Sequence, residues 1–110
     1  MIYTITYYSK AVQVQILELP DTLAARYIVL TRRISALGPN LGEPHTKSFG
    51  DGLFELRLKG AEGIARIFFC TLVGRRIVML HGFVKKSDKT PLRERRIAED
   101  RLREVRHEVS

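Results

Sequence analysis

The 110-residue chain has no tryptophan, one cysteine, two methionines and four prolines. A lone cysteine, Cys70, excludes an intrachain disulfide, and with three scattered histidines it forms none of the spacings that hold zinc. No metal and no cofactor is therefore expected. No run approaches the roughly 18 apolar residues of a membrane span. Met1-Ile2-Tyr3-Thr4 lacks the basic segment, apolar core and small-residue cleavage site of a secretory signal. The expectation is a cytoplasmic protein with no membrane partner. A chain this short makes one domain, residues 1–110, with space for one core and none for separate cofactor and substrate domains. Internal repeats and low-complexity tracts are also missing.

Positive charge, by contrast, is abundant and unevenly placed. Nineteen Lys and Arg against twelve Asp and Glu give a net charge of +7. Residues 1–56 carry five of each sign, whereas residues 57–106 carry fourteen basic and six acidic side chains. Such a basic half is the electrostatic footprint of an anionic partner, of which nucleic acid is the commonest. A solvated, soluble surface is the alternative, and the directions in which the charges point decide between them.

Ile2 to Tyr8 alternates β-branched and aromatic residues and predicts a first strand, with Ser9 as a helix N-cap. Val12, Ile16 and Leu19 make a helical stripe that favours a short helix, although Val12 to Ile16 would also suit a strand; Pro20 ends the segment. Asp21 can cap a second helix, in which Leu23, Tyr27, Leu30, Ile34 and Leu37 recur at spacings of one helical face before Gly38-Pro39. Residues 38–52, with four glycines and two prolines, read as one long loop bearing His45 and Lys47. Three strands follow, Leu53 to Lys59, Ile64 to Leu72 and Arg76 to Val84, joined by glycine-containing turns. Thr90 and Pro91 open a last helix whose apolar stripe is Ala98, Leu102, Val105 and Val109. Arg96 with Asp100, and Glu99 with Arg103, are its expected i, i+4 pairs. The fold class is α+β: an N-terminal strand and a helical hairpin packed on an antiparallel sheet of about four strands, then a C-terminal helix.

If Lys59 pairs with Ile64, Arg57 lies opposite Arg66, while Phe54, Leu56 and Leu58 meet Phe69, Ile67 and Ala65 on the helix-covered face. Opposed like charges destabilise a strand pair by up to about 1 kcal/mol. Either Glu55, two residues from Arg57 on the same face, compensates structurally, or a bound phosphate does. An even-membered second turn brings His81, Phe83 and Lys85 to the Arg66 face; an odd-membered one brings Leu80, Val84 and Lys86. In the first case one face gathers arginine forks for phosphate, lysines and an aromatic ring to stack on an unpaired base, with Lys47, Lys86 and Lys89 at the rim.

The segments Leu53-Phe54-Glu55-Leu56-Arg57-Leu58-Lys59-Gly60, Gly63-Ile64-Ala65-Arg66-Ile67-Phe68-Phe69 and His81-Gly82-Phe83-Val84-Lys85-Lys86, running on to Lys89-Thr90-Pro91, together closely resemble the RelE/ParE toxin superfamily in its phage-derived HigB-like branch. The resemblance covers nearly the whole chain. It implies a toxin of a type II toxin-antitoxin system whose partners are a cognate helix-turn-helix antitoxin, which alone contacts operator DNA, and the ribosome with its mRNA. It further implies a ribosome-dependent mRNA endoribonuclease in which Arg57 and Arg66 act on the scissile phosphate. Lys47, Lys85, Lys86 and Lys89 would then contact RNA. Some relatives use a tyrosine near the C-terminus for proton transfer; the last tyrosine here is Tyr27, so that role is open. His81, Glu55 and a lysine of lowered pKa are the candidate bases, the first two ranked equally. Two other functions share these features: a non-catalytic inhibitor of DNA gyrase, as in the ParE-type members, and a basic nucleic-acid-binding module without toxicity.

Overall fold

The computed structural model describes residues 2–85 and 89–109. Its elements run β1 (Thr4–Tyr7), α1 (Lys10–Leu17), α2 (Asp21–Leu37), β2 (Thr46–Gly50), β3 (Leu53–Gly60), β4 (Gly63–Leu72), β5 (Arg76–Lys85) and α3 (Leu92–Val109). The α+β architecture follows the expected element order, with two differences. The sheet has five strands in the order β1-β5-β4-β3-β2, and it is mixed, because β1 runs parallel to β5. The extra strand, β2, lies inside the segment that reads as a loop. It is only five residues long, mostly polar, and turns into β3 through Gly50, Asp51 and Gly52, all with φ between 56 and 81°. The helical hairpin carries the chain from β1 at one edge of the sheet to β2 at the other.

Local chemistry accounts for most helix boundaries. The Ser9 hydroxyl accepts from the Val12 N–H, 3.2 Å away, and caps α1 as expected. The start of α2 is held differently: Pro20, not Asp21, occupies the cap position. The carboxylate that accepts from the Thr22 backbone N–H and hydroxyl belongs to Glu62, in the β3–β4 turn. Leu37, the last residue of the expected apolar face, is 77% exposed, since Gly38 ends the helix there.

The sheet separates two apolar clusters. Val12, Ile16, Leu23, Tyr27, Leu30 and Ile34 of the hairpin cover Leu56, Leu58, Ala65, Ile67, Phe69, Ile77 and Met79. On the opposite face, Ala98, Leu102 and Val105 of α3 cover Leu53, Phe68, Cys70, Val78 and Leu80. The side chain of Val109 lies outside the described residues. On the wet side of α3 the ion pairs are Arg95 with Glu99 at i, i+4 and Arg103 with Asp100 at i, i+3, displacing the expected partners by one position. Because α3 starts at Leu92, it covers only one end of its face. The other end of β3, β4 and β5 is left to charged residues.

The second hairpin resolves its register in both ways at once. Three residues, 73–75, connect Leu72 to Arg76, an odd-membered turn, and the ladder keeps that register to Phe69 opposite Met79. A bulge then shifts it, so that Phe68 faces His81, Arg66 faces Phe83 and Ile64 faces Lys85. Leu80 is the extra residue, and its carbonyl accepts a 2.7 Å hydrogen bond from Arg101 Nη1 of α3. A bulge lets two successive side chains serve one face. Leu80 thereby fills the α3 core while His81, Phe83 and Lys85 stay on the arginine face.

Candidate phosphate-binding site

The β3–β4 register places Arg57 opposite Arg66, with Leu56 opposite Ile67 and Leu58 opposite Ala65, as the pattern requires. Glu55 compensates the two cations. Its side chain is 1% exposed, and its Oε1 lies 3.4 Å from Arg57 Nε and 3.6 Å from Arg66 Nε. Its Oε2 accepts a 2.9 Å hydrogen bond from the Thr90 hydroxyl. One oxygen therefore faces both guanidiniums and the other is fixed by the segment leading into α3. Thr90, read from sequence as a helix cap, spends its hydroxyl here, and the Pro91 carbonyl accepts from the Glu94 and Arg95 N–H groups.

The arginines differ in environment. Arg57, 25% exposed, also reaches the carboxylate of Glu43 at 3.2 Å. Arg66 is 14% exposed, and its Nε has no hydrogen-bond partner. Burial lowers the pKa of Arg66 below the usual arginine value; Glu55 pulls it back, and Arg57 lowers it further. Half-buried guanidiniums with an unmet donor are poised for an anion, since charge-assisted bonds strengthen out of water.

A cavity of about 460 Å³ opens beside this triad. Lys47, Lys85, Lys89 and Arg95 line it with Arg57 and Arg66, and Glu55 is the one carboxylate in the lining among the described residues. Among the described residues the lining is therefore strongly cationic, and a cleft lined by one sign of charge concentrates the opposite one. Its aromatic ring is Phe49 rather than Phe83. Phe49 carries Arg95 at 4.4 Å and Lys47 at 5.4 Å from its ring centroid. Phe83 sits outside the lining, stacked between Phe68 and His81 at centroid distances of 6.2 and 5.9 Å. His81 is also outside it: Nε2 lies 2.8 Å from Glu94 Oε2, and Nδ1 is buried without a partner. Lys86 lies outside the described residues. Sequence reasoning missed Phe49, because its strand was not visible, and Arg95, because α3 reads as a solvated helix.

No group of three His, Cys, Asp or Glu side chains arranged to hold a metal occurs among the described residues, and no helix there is long and apolar enough to cross a membrane. Fold and site together define a small basic α+β protein with a cation-lined pocket. The chain belongs to the phage-derived Gp49-like family, a family of RelE-like toxins: residues 15–103 match the family described as "Phage derived protein Gp49-like (DUF891)". The match spans every described residue of the pocket. No curated protein matches the chain.

Proposed function

We propose that this protein is a HigB-like toxin of a type II toxin-antitoxin pair and that it cleaves mRNA on the ribosome. The observation that supports this most directly is the opposed Arg57 and Arg66, held by one buried carboxylate at the wall of a cation-lined cavity. In the proposed reaction the RNA's own 2′-oxygen attacks the adjacent phosphorus in line, and the P–O5′ bond breaks. The products are a 2′,3′-cyclic phosphate and a 5′-hydroxyl. A base takes the 2′ proton, and the leaving 5′ oxygen receives one. Arg66 stabilises charge growing on the phosphate oxygens, and Arg57 binds the phosphate or supports the leaving group. Glu55 positions both guanidiniums. As a base it has the advantage of lining the cavity, whereas the His81 ring is engaged by Glu94 behind it. Placement of the codon by the ribosome reduces what a base must contribute. The antitoxin, a helix-turn-helix protein that alone contacts operator DNA, completes the pair, and both act in the cytoplasm.

The test is brief expression without antitoxin, with mapping of mRNA 5′ ends. Growth arrest with codon-linked cuts is expected, and Arg66→Ala lowers cutting by about 10²- to 10³-fold, the usual loss for one transition-state donor. Cutting that persists at the normal rate in Arg66→Ala refutes the site. Intact mRNA with inhibited DNA supercoiling would instead favour a gyrase inhibitor, and salt-dependent binding to free RNA without growth arrest a binding module.

A further inference from the structure

A second cavity, of about 330 Å³, adjoins the first and shares Arg57 and Arg66 with it. It lies at the open edge of β3. Pairing with β2 stops at Leu56, the Arg57 N–H donates to the His45 carbonyl at 2.8 Å, and β3 continues alone to Gly60. Pro44 and Ile64 give this edge cavity an apolar wall, with the buried Leu58 behind them, and Arg26 of α2 and Lys59 of β3 stand at its rim with His45. Arg26 and Lys59 are both exposed and take part in no ion pair among the described residues. Among the described residues, the carboxylates paired with residues lining this cavity are Glu43, on Arg57, and Glu55, on Arg57 and Arg66. An apolar wall beneath a rim of cations matches the two halves of a nucleotide, a base to be covered and a phosphate to be neutralised. The first cavity is mainly cationic, whereas the second adds an apolar wall between the shared Arg57 and Arg66 and the rim cations Arg26 and Lys59.

We propose that the edge cavity is a nucleotide subsite. The strand whose phosphate lies between Arg57 and Arg66 continues around the β3 edge, puts its neighbouring base against Pro44 and Ile64, and puts its next two phosphates on Lys59 and Arg26. The ligand class is single-stranded RNA spanning both cavities. This rests on the nuclease reading for the identity of the strand, and adds to it a path and two phosphate contacts, Arg26 and Lys59, that do not line the first cavity.

The test measures binding of the full chain to a fluorescent 2′-O-methyl hexanucleotide, which cannot be cleaved, across a salt series. Each phosphate contact on a single strand contributes about 0.7 to the slope of log K against log salt, or about fivefold in affinity near 0.1 M. Arg26→Ala and Lys59→Ala should each lower the slope by about that amount. Arg32→Ala, which removes another exposed cation of α2 outside the cavity, should leave it unchanged. Equal slopes in all four proteins, an equal loss in Arg32→Ala, or failure of the wild-type chain to bind the hexanucleotide overturns the subsite. Absence of mRNA cuts in cells, with the slope change intact, would instead refute the nuclease reading and leave the strand path standing.

Discussion

Replacing Glu55 by Gln removes one negative charge while keeping the side chain's shape and an acceptor for the Thr90 hydroxyl. What remains is two guanidiniums in partnered strand positions, 25% and 14% exposed, with no shared anion between them. Breaking a fully buried ion pair from one side costs about 3–5 kcal/mol. The partial exposure of both arginines lets solvent screen them, so the expected loss is smaller, about 2 kcal/mol. With a urea slope of about 1.5 kcal/mol per molar for a chain of this size, the midpoint should fall by roughly 1.3 M with the slope itself unchanged. The same substitution makes the pair a better anion site. Inorganic phosphate should therefore raise the midpoint of Glu55→Gln more than that of the wild type. At ten times its dissociation constant a ligand adds about 1.4 kcal/mol, which recovers most of the loss.

The measurement is urea unfolding of both proteins in chloride and in phosphate at matched ionic strength. A Glu55→Gln midpoint equal to wild type in chloride would show that the arginines need no carboxylate. An identical response of the two proteins to phosphate would show that the pair is not an anion site, and both the electrostatic account and the functional proposal would lose their footing.

Three further outcomes follow from contacts away from the cavity. Arg101→Ala leaves the Leu80 carbonyl at the bulge without its side-chain donor and removes the guanidinium 4.7 Å over the Tyr8 ring; it should cost about 1–3 kcal/mol in urea unfolding, and a wild-type midpoint in that variant would mean water satisfies the bulge. Burial pushes the Cys70 thiol up to about 11, so the folded protein should resist thiol reagents at pH 8 and react fully in denaturant; labelling at a free-thiol rate without denaturant would refute the buried placement. Glu62 has its carboxyl pKa lowered chiefly by the Thr22 hydroxyl. A lowered folded value gives stability that is present above the ordinary carboxylate pKa and lost as pH falls through the lowered one. Thermal melts of Glu62→Gln should therefore fall below wild type at pH 7 and converge with it as the pH falls through the lowered carboxyl value, and a gap that persists in strong acid would exclude the charge as its source.

The first hairpin was legible because every constraint agreed. A four-residue turn, three apolar pairs on one face and the charged Glu55, Arg57, Lys59 and Arg66 on the other admit one register, and a one-residue slip would bury Arg57 and Arg66 under α2. The placement of Glu55 beside both arginines follows from that register, though its second bond, to Thr90, does not. Nothing in a Thr-Pro sequence distinguishes a hydroxyl that caps its own helix from one that turns back to a carboxylate thirty-five residues away. The strand β2 was hidden for a related reason. Its polar, glycine-bounded residues have little strand propensity of their own, and they pair because the edge of β3 between Leu53 and Leu56 offers a partner. With β2 went the means of seeing that Phe49, and not Phe83, faces the cavity.

The second hairpin shows why two registers that exclude each other in a regular ladder can both be needed. Near the turn, Val78 must face α3, which fixes the odd register; at the far end, Lys85 must share a face with Arg66, which requires the even one. A straight β5 would satisfy one of these and sacrifice either the α3 core or the basic wall of the cavity. Placing the extra residue at Leu80 satisfies both, because that position is where apolar cover by α3 ends and the charged end of the face begins. Its carbonyl, left outside the ladder, is taken by Arg101 from the same helix that defines this boundary. The bulge is thus the joint between core and site. Deleting Leu80 should remove the bulge and leave both halves of the ladder in register, Phe69 opposite Met79 and Phe68 opposite His81, with His81, Phe83 and Lys85 still on the arginine face and the α3 core short of one side chain. Such a variant is expected to keep the basic wall of the cavity and to lose about 2–5 kcal/mol in urea unfolding, the usual cost of removing a buried leucine side chain, and a wild-type midpoint would refute Leu80 as part of that core.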